Sequence, residues 1–184
     1  MSELRGSSGS ENYKEARSLI ARNVGWLKSF IRVVVGIVWL VDGSLKFASG
    51  FVDSFPGLIR TEGQPAWLQP WFSFWSNAAA ANAAVIVYTT GALELALGMA
   101  LVLGFMRKIA YSGGVVLSLF IWAIPEGFGG PYGPGSTDIG TGAIYSLLFL
   151  ALIMINTLSG PSKYSLDFLI ERKYPLWTRI AEFR

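Results

Sequence analysis

The sequence predicts an all-α membrane protein: a four-transmembrane-helix up-down bundle with interfacial amphipathic helices. Three observations carry that expectation. The chain is 52% hydrophobic and only 15% charged, whereas soluble domains average about 25% charged residues, so lipid has to solvate much of the surface. Four apolar stretches approach the roughly 20 residues that cross the hydrocarbon. Lys and Arg collect on alternate sides of those stretches, as they do around oriented membrane helices.

The first stretch runs from Trp26 to Phe47 and the second from Ala83 to Phe105. The third, shorter, runs from Ile109 to Pro125, and the fourth from Ile139 to Leu158. Met106-Arg107-Lys108 and the glycine-rich segment after Pro125 are the tight connections that antiparallel neighbours need. Arg5, Lys14, Arg17, Arg22, Lys28 and Arg32 stand at the N-terminal side of the first stretch. Arg107 and Lys108 lie between the second and third, and Lys163, Arg172, Lys173, Arg179 and Arg184 follow the fourth. Arg60 alone separates the first from the second, and no base separates the third from the fourth. This distribution predicts a multi-pass plasma-membrane protein with both termini in the cytoplasm. The first 23 residues are polar and of mixed charge, unlike the basic start of a cleaved signal peptide, so the first stretch is expected to remain as an anchor.

Three regions follow: an interfacial N-terminal segment over 1–25, a transmembrane domain over 26–158 with an outer loop at 48–82, and an amphipathic tail over 159–184. Tyr13, Ala16, Leu19, Ile20 and Val24 recur at helical spacing among basic residues, the pattern of a helix lying on an anionic leaflet. Phe168, Leu169, Trp177, Ile180 and Phe183 repeat it in the tail, where Pro175 breaks the helix in two. In the outer loop Trp67, Trp71 and Trp75 sit four apart, one stripe on a helix. The plainer reading is an aromatic belt; the sharper one is a lid over a lipid-facing pocket. The run NAAAANAA, with Gly36 and Gly43 in span one and Gly91 and Gly98 in span two, offers small-residue faces for close helix contact.

Cysteine and histidine are both absent. Haem, iron–sulfur and zinc sites with their usual ligands are therefore not expected within this chain. Acid–base chemistry falls to Asp, Glu, Lys, Arg or Tyr. Ionisable groups inside a membrane each need a reason. Asp42 and Lys46 are four residues apart on one helical face, acid first, the better order for such a pair. Asp42 lies about 7–8 Å below the outer end of its span at 1.5 Å per residue. Glu94 stands eleven residues from either end of span two. Unpaired, it would be a hydrogen-bond donor between helices; paired with Lys46, it stays ionised. Glu126 and Asp138 bracket a connection that carries five glycines and three prolines over the fourteen residues from Pro125 to Asp138. Ser136, Thr137 or Asp138 can cap the fourth helix, and its N-terminus can attract an anion. Each cluster also has a plain structural reading: a self-neutralising pair, interhelical glue and a capped rigid turn.

The segments VVVGIVWLVDGSLKF, GALELALGMALVLGF and PEGFGGPYGPGSTDIGTGAIY resemble the DoxX-like family of four-span membrane proteins, and most closely its DoxD branch, membrane subunits of thiosulfate:quinone oxidoreductase. The likeness covers most of residues 30–158 and leaves out the N-terminal extension, the Trp-rich loop and the tail. It implies a membrane subunit passing electrons from thiosulfate to a membrane quinone beside a second small chain. Within the matched segments Glu94, Glu126 and Asp138 are the candidate catalytic carboxylates, and Asp42, Lys46 and Tyr132 are candidate binding groups. Arg60, from the outer loop, joins Lys46 as a candidate for drawing in an anion. The expected partners are the lipid bilayer and other membrane or extracytoplasmic subunits, not nucleic acid. The alternative is a non-catalytic accessory subunit of a larger respiratory or membrane enzyme complex. A small-solute carrier ranks last, because no inverted repeat is visible.

Overall fold

The computed structural model describes residues 4–59, 63–130, 139–159 and 162–183, with residues 4–22 as helical backbone alone. All regular structure among the described residues is helical: α1 (Leu4–Leu45), α2 (Phe51–Ser54), α3 (Gln69–Leu103), α4 (Arg107–Ala123), α5 (Thr141–Ser159), α6 (Leu166–Glu171) and α7 (Thr178–Ala181). Single 3₁₀ turns at Phe55–Leu58, Ala66–Leu68, Gly127–Gly129 and Pro175–Trp177 join them.

Three stretches are long and apolar enough to cross a membrane: Asn23–Leu45, Ala66–Leu103 and Thr141–Ser159. The third expected span, α4, has 17 residues, about 25 Å of helix, and falls short of that length. Helix α1 runs without a break into the first apolar stretch, so no turn separates an N-terminal interfacial segment from it. The outer loop is also more helical than expected. Helix α3 begins at Gln69 and absorbs the Trp-rich segment, then kinks at Asn82, whose φ of −139° and ψ of 34° leave the helical region. Asn competes for backbone hydrogen bonds and so marks a natural break. At the other end Gly104 takes the left-handed conformation (φ 67°) and its N–H returns to the Ala100 and Leu101 carbonyls, a C-terminal stop that favours glycine. Arg107 and Lys108 are thus the first residues of α4, not part of the turn.

Helix α1 packs along α3, and α4 along α5, with fewer contacts between the pairs. The α1–α3 seam is the small-residue face read from the sequence. A methyl group added at Gly36 would lie 2.9 Å from the Gly98 carbonyl oxygen, and one at Gly43 would lie 3.0 Å from the Glu94 Cβ. Added at Gly91 it would meet the Lys46 Cβ at 2.9 Å. Such contact holds helices together where apolar surroundings supply no hydrophobic drive. Val35 and Trp39, Leu97 and Leu101, Tyr111, and Phe149 bring all four long helices into one core. The outer faces stay apolar: Val41 and Leu45, Leu93 and Met99, and Leu147 and Met154 are all exposed.

Candidate functional site

Asp42, Lys46 and Glu94 converge. Helix α1 carries the first two, one turn apart; the glycine seam brings α3 close enough for the third to reach them. Lys46 Nζ lies 3.3 Å from Asp42 Oδ2 and 3.1 Å from Glu94 Oε2. The three differ in access. The Glu94 side chain is fully buried, that of Lys46 is 15% exposed, and that of Asp42 is 49% exposed. Glu94 Oε1 has no hydrogen-bond partner. Lys46 therefore bridges a sealed carboxylate and an open one.

Glu126, a candidate catalytic carboxylate, has a structural duty in the fold. It sits where α4 has ended and reaches the start of α5, accepting a hydrogen bond from the Thr141 hydroxyl and another, 2.9 Å long, from the Gly142 N–H. It is the cap of α5, and a carboxylate there also complements the helix dipole. The anion expected at that N-terminus is thus one of the chain's own side chains. Gly140 (φ +91°) makes room: a methyl group there would come within 2.7 Å of Glu126 Oε2. Of the other candidates, Arg60, Tyr132 and Asp138, with the possible caps Ser136 and Thr137, lie outside the described residues.

Around this end one member of the aromatic stripe, Trp71, joins Phe72 and Trp122 around Phe128. Trp71, Phe72 and Trp122 place their ring centroids 6.4, 6.1 and 5.2 Å from it. The Trp71 and Trp122 indole N–H groups donate to the Ala123 and Ile139 carbonyls at 3.0 and 2.7 Å. Trp67, the first of the stripe, remains 78% exposed. A small hollow of about 300 Å³ beside Glu126 also meets Gln64 and several glycines. Gln64 turns its amide N–H to the Gly127 carbonyl, leaving Oε1 unpartnered. The side-chain oxygens there are acceptors, which suits a donor better than an anion.

A cleft of about 1840 Å³ draws its wall from all four long helices and is overwhelmingly apolar. Ligand pockets for drug-sized molecules run to about 300–1,000 Å³, so this cleft suits a long apolar occupant. Asp42, Lys46, Glu126 and Tyr145 give its wall a polar side; Glu94 does not border it. Tyr145, which sequence reading did not single out, lies within electrostatic reach of both Asp42 and Glu126. Its position one turn after Thr141, at the start of a span, was the available signal. Trp39 packs against Tyr145 and Phe149 at 5.6 and 5.8 Å.

A second polar centre, at the opposite end, was read from the sequence only as positive charge. Arg107 is fully buried and pairs with Asp167 (3.0 Å), Glu182 (2.6 Å) and Glu171 (3.4 Å). Asp167 also accepts from the Met106 and Arg107 backbone N–H groups and from the Trp177 indole. Asn156 donates to Glu182 at 3.2 Å, and Arg32 donates to the Tyr164 carbonyl at 2.7 Å. The tail is therefore held by its acids on a buried base, not by its basic residues alone. Among the described residues no group of three or more carboxylates could hold a metal ion.

No family model, no curated protein and no solved structure matches the chain.

Proposed function

We propose that the chain is a four-pass membrane subunit of a respiratory redox system, with both termini in the cytoplasm, and that it presents a membrane quinone to its partners. The single observation that carries this reading is the long apolar cleft whose polar side bears Asp42, Lys46 and Tyr145. In the bilayer α4 completes a fourth crossing with help from the turns at its ends: Ile124–Glu126 extends its path at one end, and Asp167 satisfies its first N–H groups at the other. The resemblance to DoxD supports the choice of quinone and names thiosulfate as the electron source.

A quinone fits the residues present. It would bring two carbonyl acceptors and exchange two electrons and two protons; Tyr145 would orient a carbonyl by hydrogen bonding, and Asp42, with Lys46 and Glu94 behind it, would hold or release a proton beside it. Thiosulfate fits less well at the glycine-rich connection, because Glu126 fills the α5 N-terminus. Its oxidation belongs to a partner chain on this reading. The test is thiosulfate-dependent reduction of a short-tailed quinone by the purified chain, alone and with its co-purifying subunits. Turnover that needs both the chain and a partner supports the proposal, and none in any combination removes it.

A second reading is a non-catalytic accessory subunit. It is favoured by the structural duty of Glu126 as a cap and by the sealing of Glu94 away from the cleft. A complex that keeps full quinone turnover when this chain carries both Asp42→Asn and Tyr145→Phe would establish it.

A further inference from the structure

Two buried groups on the cleft wall have no hydrogen-bond partner. Trp39 is 2% exposed and Ser118 is fully buried; both border the cleft, and neither Trp39 Nε1 nor Ser118 Oγ makes a hydrogen bond. Ser118 departs from the habit of this chain. The hydroxyls of Ser29, Ser44, Ser146 and Thr157 each bond back to the carbonyl four residues earlier, which satisfies a helical hydroxyl in apolar surroundings. An indole N–H can only donate, and a buried donor left unpaired costs roughly 1–3 kcal/mol. A hydrocarbon wall or an alkyl chain cannot satisfy it.

The two groups lie at one level of the molecule. Trp39 packs on Tyr145, while the Ser118 backbone carbonyl lies against Gly142, where an added methyl would meet it at 2.6 Å. Gly142 and Tyr145 are three residues apart and share a face of α5. Trp39, Ser118 and Tyr145 thus come from α1, α4 and α5 to one stretch of a predominantly apolar cleft wall.

We infer that Trp39, Ser118 and Tyr145 form the head-group site for a lipid-phase carbonyl compound with a long apolar tail, of the prenylated quinone type. The inference rests on the proposed function for the ligand's class but goes beyond it in placing the head. That place is beside Trp39 and Ser118, not against Glu94 at the α1–α3 seam. The carbonyl oxygens accept from the indole and the hydroxyl, and the tail occupies the remaining length of the cleft. Trp39 and Ser118 are positioning groups for the ligand.

Equilibrium binding to the full chain in nanodiscs tests this without any turnover. The probes are a decyl-substituted benzoquinone and decylbenzene, which share ring and tail but differ in the carbonyls. The quinone is expected to bind at least tenfold more tightly. Trp39→Phe and Ser118→Ala should each weaken quinone binding about three- to tenfold, the worth of one hydrogen bond, and leave decylbenzene unchanged. The unchanged decylbenzene affinity also reports that the variant has folded. Equal affinity for the two probes, or quinone binding that neither substitution alters, overturns the inference. Ester- and ether-linked phospholipid discs separate the quinone from a lipid carbonyl. Equal quinone affinity in both is expected; a large loss confined to the ester lipid makes the lipid the resident ligand and also overturns the inference. Selective binding with no turnover in any subunit combination would remove the redox proposal and leave the site. Turnover whose KM for quinone ignores both substitutions would do the reverse.

Discussion

Lys46 is the residue on which the buried charge depends. Its ammonium stands 3.1 Å from a Glu94 carboxylate that has no exposure, and removing one partner of a buried pair costs about 3–5 kcal/mol because the other charge is left alone. Lys46→Met is expected to lower stability by that order in reversible unfolding from mixed micelles. Adding Glu94→Leu should restore most of it, since an apolar replacement of the whole pair is close to neutral. A double variant as unstable as the single one would show that the pair is not what Lys46 supports. The Asp42–Lys46 half of this cluster was legible in the sequence because its spacing is local, while Glu94 pairing with Lys46 was one of two arrangements the sequence left open. The part played by Glu126 was not legible. Its partners, Thr141 and Gly142, are 15 and 16 residues away, and only the fold shows that the carboxylate turns back to cap α5. Trp39 and Ser118 were hidden for a related reason: an indole or a hydroxyl in a span looks ordinary until its missing hydrogen bond can be seen.

Two elements are held by contrasting means, and each makes its own prediction. The α1–α3 seam depends on the absence of side chains. At Gly98 a methyl group would stand 2.9 Å from both the Gly36 carbonyl oxygen and the Leu40 backbone N–H nitrogen. These are backbone atoms that cannot step aside. Gly98→Ala is expected to destabilise by about 1–3 kcal/mol, the range for overpacking, whereas Gly113→Ala, where a methyl group meets nothing within 4 Å, should be tolerated. Equal effects at the two glycines would refute the close seam. The seven-residue glycine spacing announced this contact before any coordinates did. The tail works by charge. Asp167 takes hydrogen bonds from two backbone N–H groups, the Arg107 side chain and the Trp177 indole, while Glu182 takes them from Arg107 and Asn156. Asp167→Ala should therefore lower the melting temperature more than Glu182→Ala, and the reverse order would sink this account of the tail. Hydrophobic spacing predicted apolar faces for the tail segments but not this network. Its members come from α4, α5 and the two ends of the tail, and no sequence period links them.

At the scale of the whole molecule, two helix pairs enclose an apolar cleft, with a capped aromatic turn at one end and a buried ionic knot at the other. Hydropathy and the distribution of basic residues anticipated long apolar helices, and three of them reach spanning length. They were less informative about α4, whose 17 residues leave the number of crossings to the surroundings of its ends. The account depends on α4 crossing the bilayer, since otherwise Glu126 and Arg107 do not mark opposite faces and the cleft is not open to the acyl chains between them. The chain has no cysteine, so single cysteines placed by substitution report their own exposure. The decisive measurement is labelling of Ser54→Cys, Ile139→Cys and Lys173→Cys with a membrane-impermeant maleimide in intact and permeabilised cells. Ser54 and Ile139 belong to the end that carries Glu126, and Lys173 belongs to the end that carries Arg107. The account predicts that the first two label in intact cells and the third only after permeabilisation. Labelling of Ile139→Cys only after permeabilisation, together with Lys173→Cys, would place the glycine-rich turn on the cytoplasmic side and contradict it.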